Sequence, residues 1–343
     1  MKNYQKTILI CVVILFCAAN PVFSQNTINI ENLQTSLDRF VYYMNLSLPF
    51  NSTVGLNWSD AYIGPSPPHF GIGITTGFTT MNFDSISKLM GQFGTDIDLK
   101  NTSTFEDRGL PVPSYTVEAR IGFTAIPLDL GFKFGYLPPG IFESLMGAFS
   151  SKQAFGFKNM LIGVDTRYAP LIKKVSPLRF SVGAGFNYMA GEITADLPDK
   201  VPFAFYTFQG NNFFKETRFS TTDDSQLGIV WRTLTLELKM QVSLSFKIIT
   251  PYAGVGASYA FSWVGYRVEE SKTDDSYAEE LKSLGLTGVS ETGFESIKRL
   301  NSFNARAFGG FSFNLALFRL DLTGMYNVTG GNIGATIGFR FQL

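Results

Sequence analysis

The chain has 343 residues, of which 15% are aromatic and 16% are charged, and its 28 basic side chains balance its 28 acidic ones. A net charge of zero is not the strongly basic balance of nucleic-acid-binding proteins, and the charged fraction lies below the roughly 25% of ordinary soluble domains. Both cysteines, Cys11 and Cys17, lie near the N-terminus. Neither a disulfide scaffold nor a thiolate metal site is therefore expected in the rest of the chain.

Residues 1–24 have the pattern of a secretory signal peptide. Lys2 and Lys6 precede an apolar run over residues 8–19, and Ser24 ends a site suited to cleavage. A transmembrane anchor is the alternative, but this run is too short to cross about 30 Å of hydrocarbon. We predict that the leader directs export and is then removed.

Residues 25–45 form a predicted N-terminal helical segment, because its apolar side chains recur at the spacing of one helix face. These side chains are Leu33, Leu37, Phe40, Val41 and Met44. Two positions are open for this helix: it either plugs the structure formed by the strands that follow, or packs peripherally at the mouth of that structure. We favour the peripheral position.

Eleven later segments alternate between apolar residues and small or polar ones. The longest is residues 233–248, in which every even position is apolar and every odd position is polar. Successive side chains of a strand point to opposite faces, so such a segment has one apolar face and one polar face. The segments are 53–58, 70–78, 115–125, 128–134, 159–168, 179–188, 233–248, 253–263, 303–313, 318–326 and 333–343.

The alternation predicts an all-β fold, a transmembrane antiparallel up-and-down β-barrel over residues 46–343. Bacterial single-chain barrels close with an even number of strands, so we predict about 12 strands, within roughly 10 to 14, the unseen one within residues 40–50. Short turns alternate with long connections, which indicates periplasmic turns and external loops. The long connections are 83–111, 137–155, 194–227 and 271–301. A secreted soluble β-sandwich is the alternative.

The last eight residues resemble the signal by which the barrel-assembly machinery recognises its outer-membrane substrates. Thr336, Gly338, Phe341 and Leu343 match that pattern, although a terminal Phe is more typical than Leu. With the strand pattern, the chain resembles bacterial outer-membrane β-barrel proteins and, more distantly in architecture, the long-chain fatty-acid transporter barrels. The resemblance implies an integral position in the outer membrane, in contact with its lipids. No diagnostic motif of those transporters matches, so no residue roles are carried over.

The inward parity of the predicted strands carries charges of both signs. Mixed charges inside a barrel either pair with one another or ring a water-filled pore, and we favour pairing. The candidate lumen or pore-lining residues are Glu118, Arg120, Asp129, Lys133, Asp165, Arg167, Arg179, Glu237, Lys239, Arg306, Arg319, Asp321 and Arg340.

An enzymatic function is not expected, and neither are catalytic, cofactor or metal sites. The single histidine, His69, lies in a Pro-rich turn, and no serine elbow or paired acid accompanies it. Three long connections contain helix-like inserts at 85–93, 141–149 and 276–284. The aromatic residues at 203–219 predict a hairpin that turns at 209–212. They either bind apolar cargo or form a small core for strands above the membrane, and we favour the core.

The predicted function is a passive channel or transporter for small or hydrophobic solutes. The alternative is a structural or surface-binding barrel with a closed lumen, whose loops engage partners. Both share the barrel, and they differ in whether the lumen is open.

Overall fold

The computed structural model describes residues 28–60, 70–82, 110–123, 126–137, 155–169, 177–196, 202–209, 213–220, 226–269, 289–290 and 293–343. The helix α1 spans Ile30–Ser52. The strands are β1 (Ile28–Asn29), β2 (Phe70–Met81), β3 (Leu110–Gly122), β4 (Leu128–Leu137), β5 (Phe155–Tyr168), β6 (Leu178–Asp196), β7 (Pro202–Gln209), β8 (Phe213–Ser220), β9 (Gln226–Leu244), β10 (Ile249–Glu269), β11 (Val289–Ser290), β12 (Gly293–Leu315), β13 (Phe318–Asn327) and β14 (Ile333–Gln342). The predicted leader, His69 and the three helix-like inserts lie outside these residues.

Ten antiparallel strands form a closed barrel. The large sheet runs in the order β10-β9-β6-β5-β4-β3-β2-β14-β13-β12-β11, and a further pairing of β10 with β12 closes the ring. The short strand β11 pairs only with β12 and stands outside the ring. The barrel therefore has 10 strands, and the prediction of about 12 was wrong.

Both surplus strands were predicted in the region before β2. Residues 40–50 belong to α1 rather than to a strand, and residues 53–58 have no strand structure. A segment of six residues is shorter than the 9–11 or so that a spanning strand needs. The chain also turns within it, since Gly55 and Leu56 have φ of 84° and 57°. The barrel thus begins at Phe70 rather than at residue 46.

The strand connections differ in length at the two ends of the barrel. Short ones join β3 to β4, β5 to β6, β9 to β10 and β12 to β13, and we call this the turn end. The predicted long connections lie at the other end, which we call the loop end. Here β6, β9, β10 and β12 run to 19, 19, 21 and 23 residues and project beyond their shorter neighbours. The predicted hairpin around residues 209–212 is present as β7 and β8, and β1 joins it as a parallel strand.

The barrel wall is apolar outside and polar inside, the reverse of a soluble protein. On β9, Leu236 and Leu238 are 50% and 66% exposed, whereas Glu237 between them is 6% exposed. The outward positions of β9 from 234 to 244 are all apolar. These positions cover about 33 Å along a strand, or about 25 Å across a membrane at a tilt of about 40°, which matches the apolar band of membrane barrels. In the described part of the chain, no helix is long and apolar enough to span a membrane.

The helix α1 lies inside the barrel, in the half of the lumen nearer the loop end. Its buried side chains Phe40, Val41, Met44 and Leu48 pack in one cluster with inward-facing side chains of β2, β5, β6, β9 and β10. Those wall residues are Met81, Phe157, Leu161, Met189, Ile229, Trp231 and Val264. The helix is therefore surrounded by strands rather than packed peripherally at the mouth.

Candidate functional site

The candidate site is the half of the lumen nearer the turn end, which we call the lower lumen. Here residues 53–60 continue from α1 toward the turn end. We call these residues the lumen segment. The helix ends in a tight turn, in which Thr53 donates from its backbone N and from Oγ1 to the carbonyl oxygen of Phe50, at 3.1 and 2.7 Å. At Gly55 a Cβ would lie 2.7 Å from Glu118 Oε1 and 2.8 Å from Thr116 Oγ1. Only glycine fits this positive-φ position against the wall.

The first group of wall charges forms a buried network on β3, β4, β5 and β9. Arg120 pairs with both Asp129 and Asp165, the latter at 2.6 Å. Arg167 pairs with Asp129 at 2.7 Å, and Lys239 pairs with Asp165 at 2.5 Å. Each carboxylate therefore meets two cations, which compensates for the cost of removing these charges from water.

Gly131 makes the central pairing of this network possible. It lies on β4 directly between Arg120 of β3 and Asp165 of β5. A Cβ at this position would lie 2.4 Å from Asp165 Oδ1 and 2.8 Å from Arg120 Nη2. The missing side chain lets the two charges meet across the intervening strand.

Of the remaining charges, Arg306, Arg319, Asp321 and Arg340 lie on β12, β13 and β14, Glu237 lies on β9, and Arg179 lies on β6. Arg306 pairs with Glu237 at 2.6 Å, and Arg340 pairs with Asp321 at 2.7 Å. Arg319, which is less buried, lies 3.2 Å from a carboxylate of the lumen segment. Arg179 is half-buried near the turn end and forms no ion pair with any described residue.

The wall binds the backbone of the lumen segment as well as its side chains. Lys133 Nζ donates to the carbonyl oxygens of Ser52 and Val54 at 2.7 and 2.6 Å. Gln241 Nε2 donates to the carbonyl oxygens of Trp58 and Ser59, both at 2.9 Å.

Two wall cations extend this binding along the segment. Arg167 Nη1 donates to the carbonyl oxygens of Trp58 and Asp60 at 3.1 and 2.5 Å. Lys239 reaches the Leu56 carbonyl oxygen at 3.3 Å. A charged donor binds a carbonyl oxygen more strongly than a neutral one does, so the wall cations hold the segment in one path.

Trp58 is the main side-chain anchor of the segment. It is 3% exposed, and its indole N–H donates to Glu118 Oε2 at 2.6 Å. The guanidinium carbons of Arg340 and Arg120 lie 4.6 and 5.5 Å from its ring centroid. A tryptophan that donates to a carboxylate and has two guanidinium groups close to its ring has few alternative positions.

Asp60 supplies the last contact of the segment, at the turn end. Its carboxylate oxygens lie 3.0 Å from Arg340 Nη1 and 3.2 Å from Arg319 Nη1. Burial raises the pKa of Asp60, but the nearby guanidinium groups, Arg340 foremost, outweigh it and hold the pKa below its ordinary value.

Together α1 and the lumen segment occupy the lumen from the loop end to the turn end. A cavity bounded by Asn57, Trp58 and Asp321 has a volume of about 10 Å³, which is room for about one water molecule. In the described residues, no group of three His, Cys, Asp or Glu side chains is placed to hold a metal ion. The geometry is that of a plug bound by an inward-facing polar wall.

The sequence-derived candidates are placed inside the barrel, and all but Arg179 take part in an ion pair or a charge-assisted hydrogen bond. Their role as pore-lining residues stays a prediction. Trp58, Asp60 and Gln241 were not among the sequence-derived candidates. Residues 53–58 were predicted to form a strand, and its alternation would turn the apolar side chains of Val54, Leu56 and Trp58 outward. All three of those side chains are buried. The shortness of that segment was the signal against a strand.

The proposed assembly signal lies on the last strand, β14, and on Leu343 directly after it, and β14 pairs with β13 and with β2, the first strand of the barrel. The ring of Phe341 lies 5.6 Å from Phe318 and 6.3 Å from Phe70. The backbone N of Leu343 donates to the Phe70 carbonyl oxygen at 3.0 Å. Recognition of these residues by the assembly machinery stays a prediction.

No protein-family model matches the chain, and the search of curated proteins gave no match. Among solved structures, the outer membrane protease OmpT from Escherichia coli is similar over 81% of this chain and 98% of its own, with 8% identity and a TM-score of 0.40. The translocator domain of autotransporter NalP from Neisseria meningitidis is similar over 90% of this chain and 98% of its own, with 7% identity and a TM-score of 0.35.

A major outer membrane protein from Thermus thermophilus is similar over 80% of this chain and 99% of its own, with 11% identity and a TM-score of 0.32. At these identities and TM-scores, no function is transferred from any of the three. The barrel assignment rests on the strand pairing of this chain itself. The distant resemblance to fatty-acid transporters and the absence of enzymatic activity stay predictions.

Proposed function

We propose that the chain is an integral outer-membrane protein whose barrel is closed, in its resting state, by α1 and the lumen segment. The lipid-facing position is supported by the apolar outer wall, which has about the height of a membrane's hydrocarbon layer. The unequal connections support a loop end on the external side and a turn end in the periplasm. In this position the outer wall of the barrel contacts the lipids of the outer membrane.

The observation that carries the closed state is the binding of the segment's backbone by the wall. Lys133, Arg167 and Gln241 donate to carbonyl oxygens between Ser52 and Asp60. Hydrogen bonds from charged donors contribute about 1.5–3 kcal/mol each, so their sum opposes spontaneous opening. The function that fits is a structural or surface-binding barrel, whose projecting loop end is the surface offered to partners.

The second candidate is a transporter for small or hydrophobic solutes, in which α1 leaves the lumen. One observation favours it: the wall around α1 is apolar, with Phe157, Leu161 and Trp231 facing inward. Withdrawal of the helix would leave an apolar vestibule above a charged constriction. Such a path suits an amphipathic solute better than a hydrated ion.

Conductance in planar bilayers tests the closed state. We expect the chain without its leader to show no steady conductance, because the segment fills the constriction. A variant lacking residues 28–60 should conduct. Of the thirteen candidate lumen residues eight are basic and five are acidic, so this variant should favour anions. Steady conductance of the full-length protein equal to that of the deletion variant would overturn the proposal.

A disulfide lock separates the two candidates. Ser52 Oγ and Thr235 Oγ1 lie 3.0 Å apart, so Ser52→Cys with Thr235→Cys can tether the segment to β9. Transient openings of the full-length protein that disappear on oxidation and return on reduction would support the transporter. Silence in both redox states would support the closed barrel.

A further inference from the structure

A groove of about 260 Å³ lies on the outer wall, across β4, β5, β6, β9 and β10. Strand register places Met160, Ala190 and Arg232 side by side on β5, β6 and β9. The small side chain of Ala190 leaves the depression between its larger neighbours. Eight of the lining residues, Met160, Ala190 and Arg232 among them, have the outward parity of the wall, and the inward-parity residues Asn159, Gly191 and Trp231 also border the groove.

The groove has one apolar part and one charged part. Toward the turn end it is lined by Tyr136 and Met160, and it continues into the apolar wall. Toward the loop end it is lined by Lys158, Glu192 and Arg267. Closer to the turn end, the outward positions of β5, β6, β9 and β10 carry no charged residue. The groove therefore lies where the lipid-facing band meets the charged loop end.

The groove contains one ion-paired group and one exposed arginine. Glu192 is buried between two cations, with Lys158 at 2.7 Å and Arg267 also in contact. Gly228 lies between Glu192 and Arg267, and a Cβ there would lie 3.2 Å from Arg267 Cγ. Arg232 is exposed and forms no ion pair with any residue that the structure describes. Among the described residues of the groove, Arg232 is therefore a cation that no carboxylate neutralises.

We propose that this groove binds a phosphate-bearing lipid of the outer leaflet. Arg232 and Lys158 would contact the phosphate, and the apolar part of the lipid would lie against Tyr136 and Met160. A guanidinium group binds phosphate through paired N–H donors, and Arg232 has its donors free for that role among the described residues. A lipid fits better than a soluble anion, because the apolar half of the groove opens onto the lipid-facing wall. The inference rests on the proposed position in the outer membrane.

Lipid binding to the purified barrel in detergent tests this site. The probe is diphosphorylated lipid A, and the comparison ligands are the same lipid without its phosphates and inorganic phosphate. We expect native mass spectrometry to show one retained lipid A per barrel and at least tenfold weaker retention of the dephosphorylated lipid. Inorganic phosphate at millimolar concentration should not displace lipid A.

Three substitutions locate the site. Arg232→Gln should weaken binding about tenfold, because it removes the unpaired cation and disturbs no ion pair in the described structure. Ala190→Leu should weaken binding to a similar degree by filling the groove without a change of charge. Lys247→Gln, which removes an exposed cation at the turn end, is the matched control and should bind as the unchanged protein does.

Equal retention of both lipids, displacement by inorganic phosphate, or full binding by both Arg232→Gln and Ala190→Leu would overturn the lipid site. Heat resistance of each variant in detergent shows that its barrel is folded. A failure here leaves the closed barrel untouched, since conductance does not depend on this groove. Conversely, a chain found outside the outer membrane would end the proposed function even if the purified barrel bound lipid A.

Discussion

The indole N–H of Trp58 donates a 2.6 Å hydrogen bond to Glu118 Oε2 within the barrel. Thr116 Oγ1 donates to the other carboxylate oxygen at 2.8 Å. These contacts join the lumen segment to β3. They satisfy both oxygens of the Glu118 carboxylate, which is almost wholly buried. They also give the segment a position that can be tested by substitution.

Trp58→Phe should lower the free energy of unfolding by about 1–3 kcal/mol, because it leaves one oxygen of a buried carboxylate unsatisfied. This change is measured by urea unfolding in detergent, with the loss of heat resistance as the readout. Trp263→Phe, on the outward face of β10, is the control and should change stability by less than about 1 kcal/mol, because phenylalanine keeps a ring beside Arg299. In a double-mutant cycle with Glu118→Gln, additive effects would show that Trp58 and Glu118 are not coupled.

Asp165→Asn should destabilise the barrel by about 3–5 kcal/mol, since it leaves Arg120 and Lys239 without a charge that both contact. Equilibrium unfolding of the refolded protein gives the value. Arg179→Gln removes an inward charge that has no ion-pair partner in the described structure, and it should have little effect. Equal losses for the two variants would show that the paired network is not what stabilises the lower lumen.

Gly131→Ala should cost about 1–3 kcal/mol, because the new Cβ would displace either Asp165 or Arg120. Gly324→Ala is the control: it adds the same methyl group on β13, where the nearest atom would lie 3.9 Å away. The urea concentration at the unfolding midpoint is compared between the two variants. A lower midpoint for Gly131→Ala reports the close approach of Arg120 and Asp165 at this glycine. Identical midpoints would contradict the crossing of β4 by this ion pair.

Leu238→Arg should cost about 2–4 kcal/mol for folding into lipid vesicles, because residue 238 lies near the middle of the apolar band. The same substitution at Val230, beside the charged groove, should cost about 1 kcal/mol or less. The two variants are folded into lipid vesicles of the same bilayer thickness, and the heat-resistant fraction of each gives its free energy of folding. A neutral Leu238→Arg would place this face in water and would contradict the lipid-facing wall.

The barrel strands could be predicted from the sequence because alternation is a local property of each strand. The run at 233–248 fixes which side chains face outward without any knowledge of its neighbours. Mixed charges on neighbouring strands predict ion pairs for the same reason, since paired strands bring their inward side chains within reach. This is why Arg120, Asp129 and Asp165 were found as candidates.

The lumen segment could not be predicted in this way. Residues 53–58 alternate as a strand does, yet their structure depends on donors from distant strands, such as Lys133 and Gln241. Helix periodicity likewise identifies α1 but not what surrounds it. An apolar helix face packs equally well inside a barrel or beside it, so its placement depends on apolar wall residues such as Met81 and Trp231. The alternation pattern treats these simply as inward positions.

Disulfide formation between residues 52 and 235 tests the plug most directly. With Ser52→Cys, Thr235→Cys, Cys11→Ser and Cys17→Ser in the full-length chain, which then has no other cysteine, we expect mild oxidation to cross-link most of the protein in its native membrane. Ser52→Cys with Leu236→Cys, one position along β9 and facing outward, should give no cross-link. Absence of the 52–235 cross-link, or equal cross-linking of both pairs, would contradict a lumen closed by its own N-terminal segment.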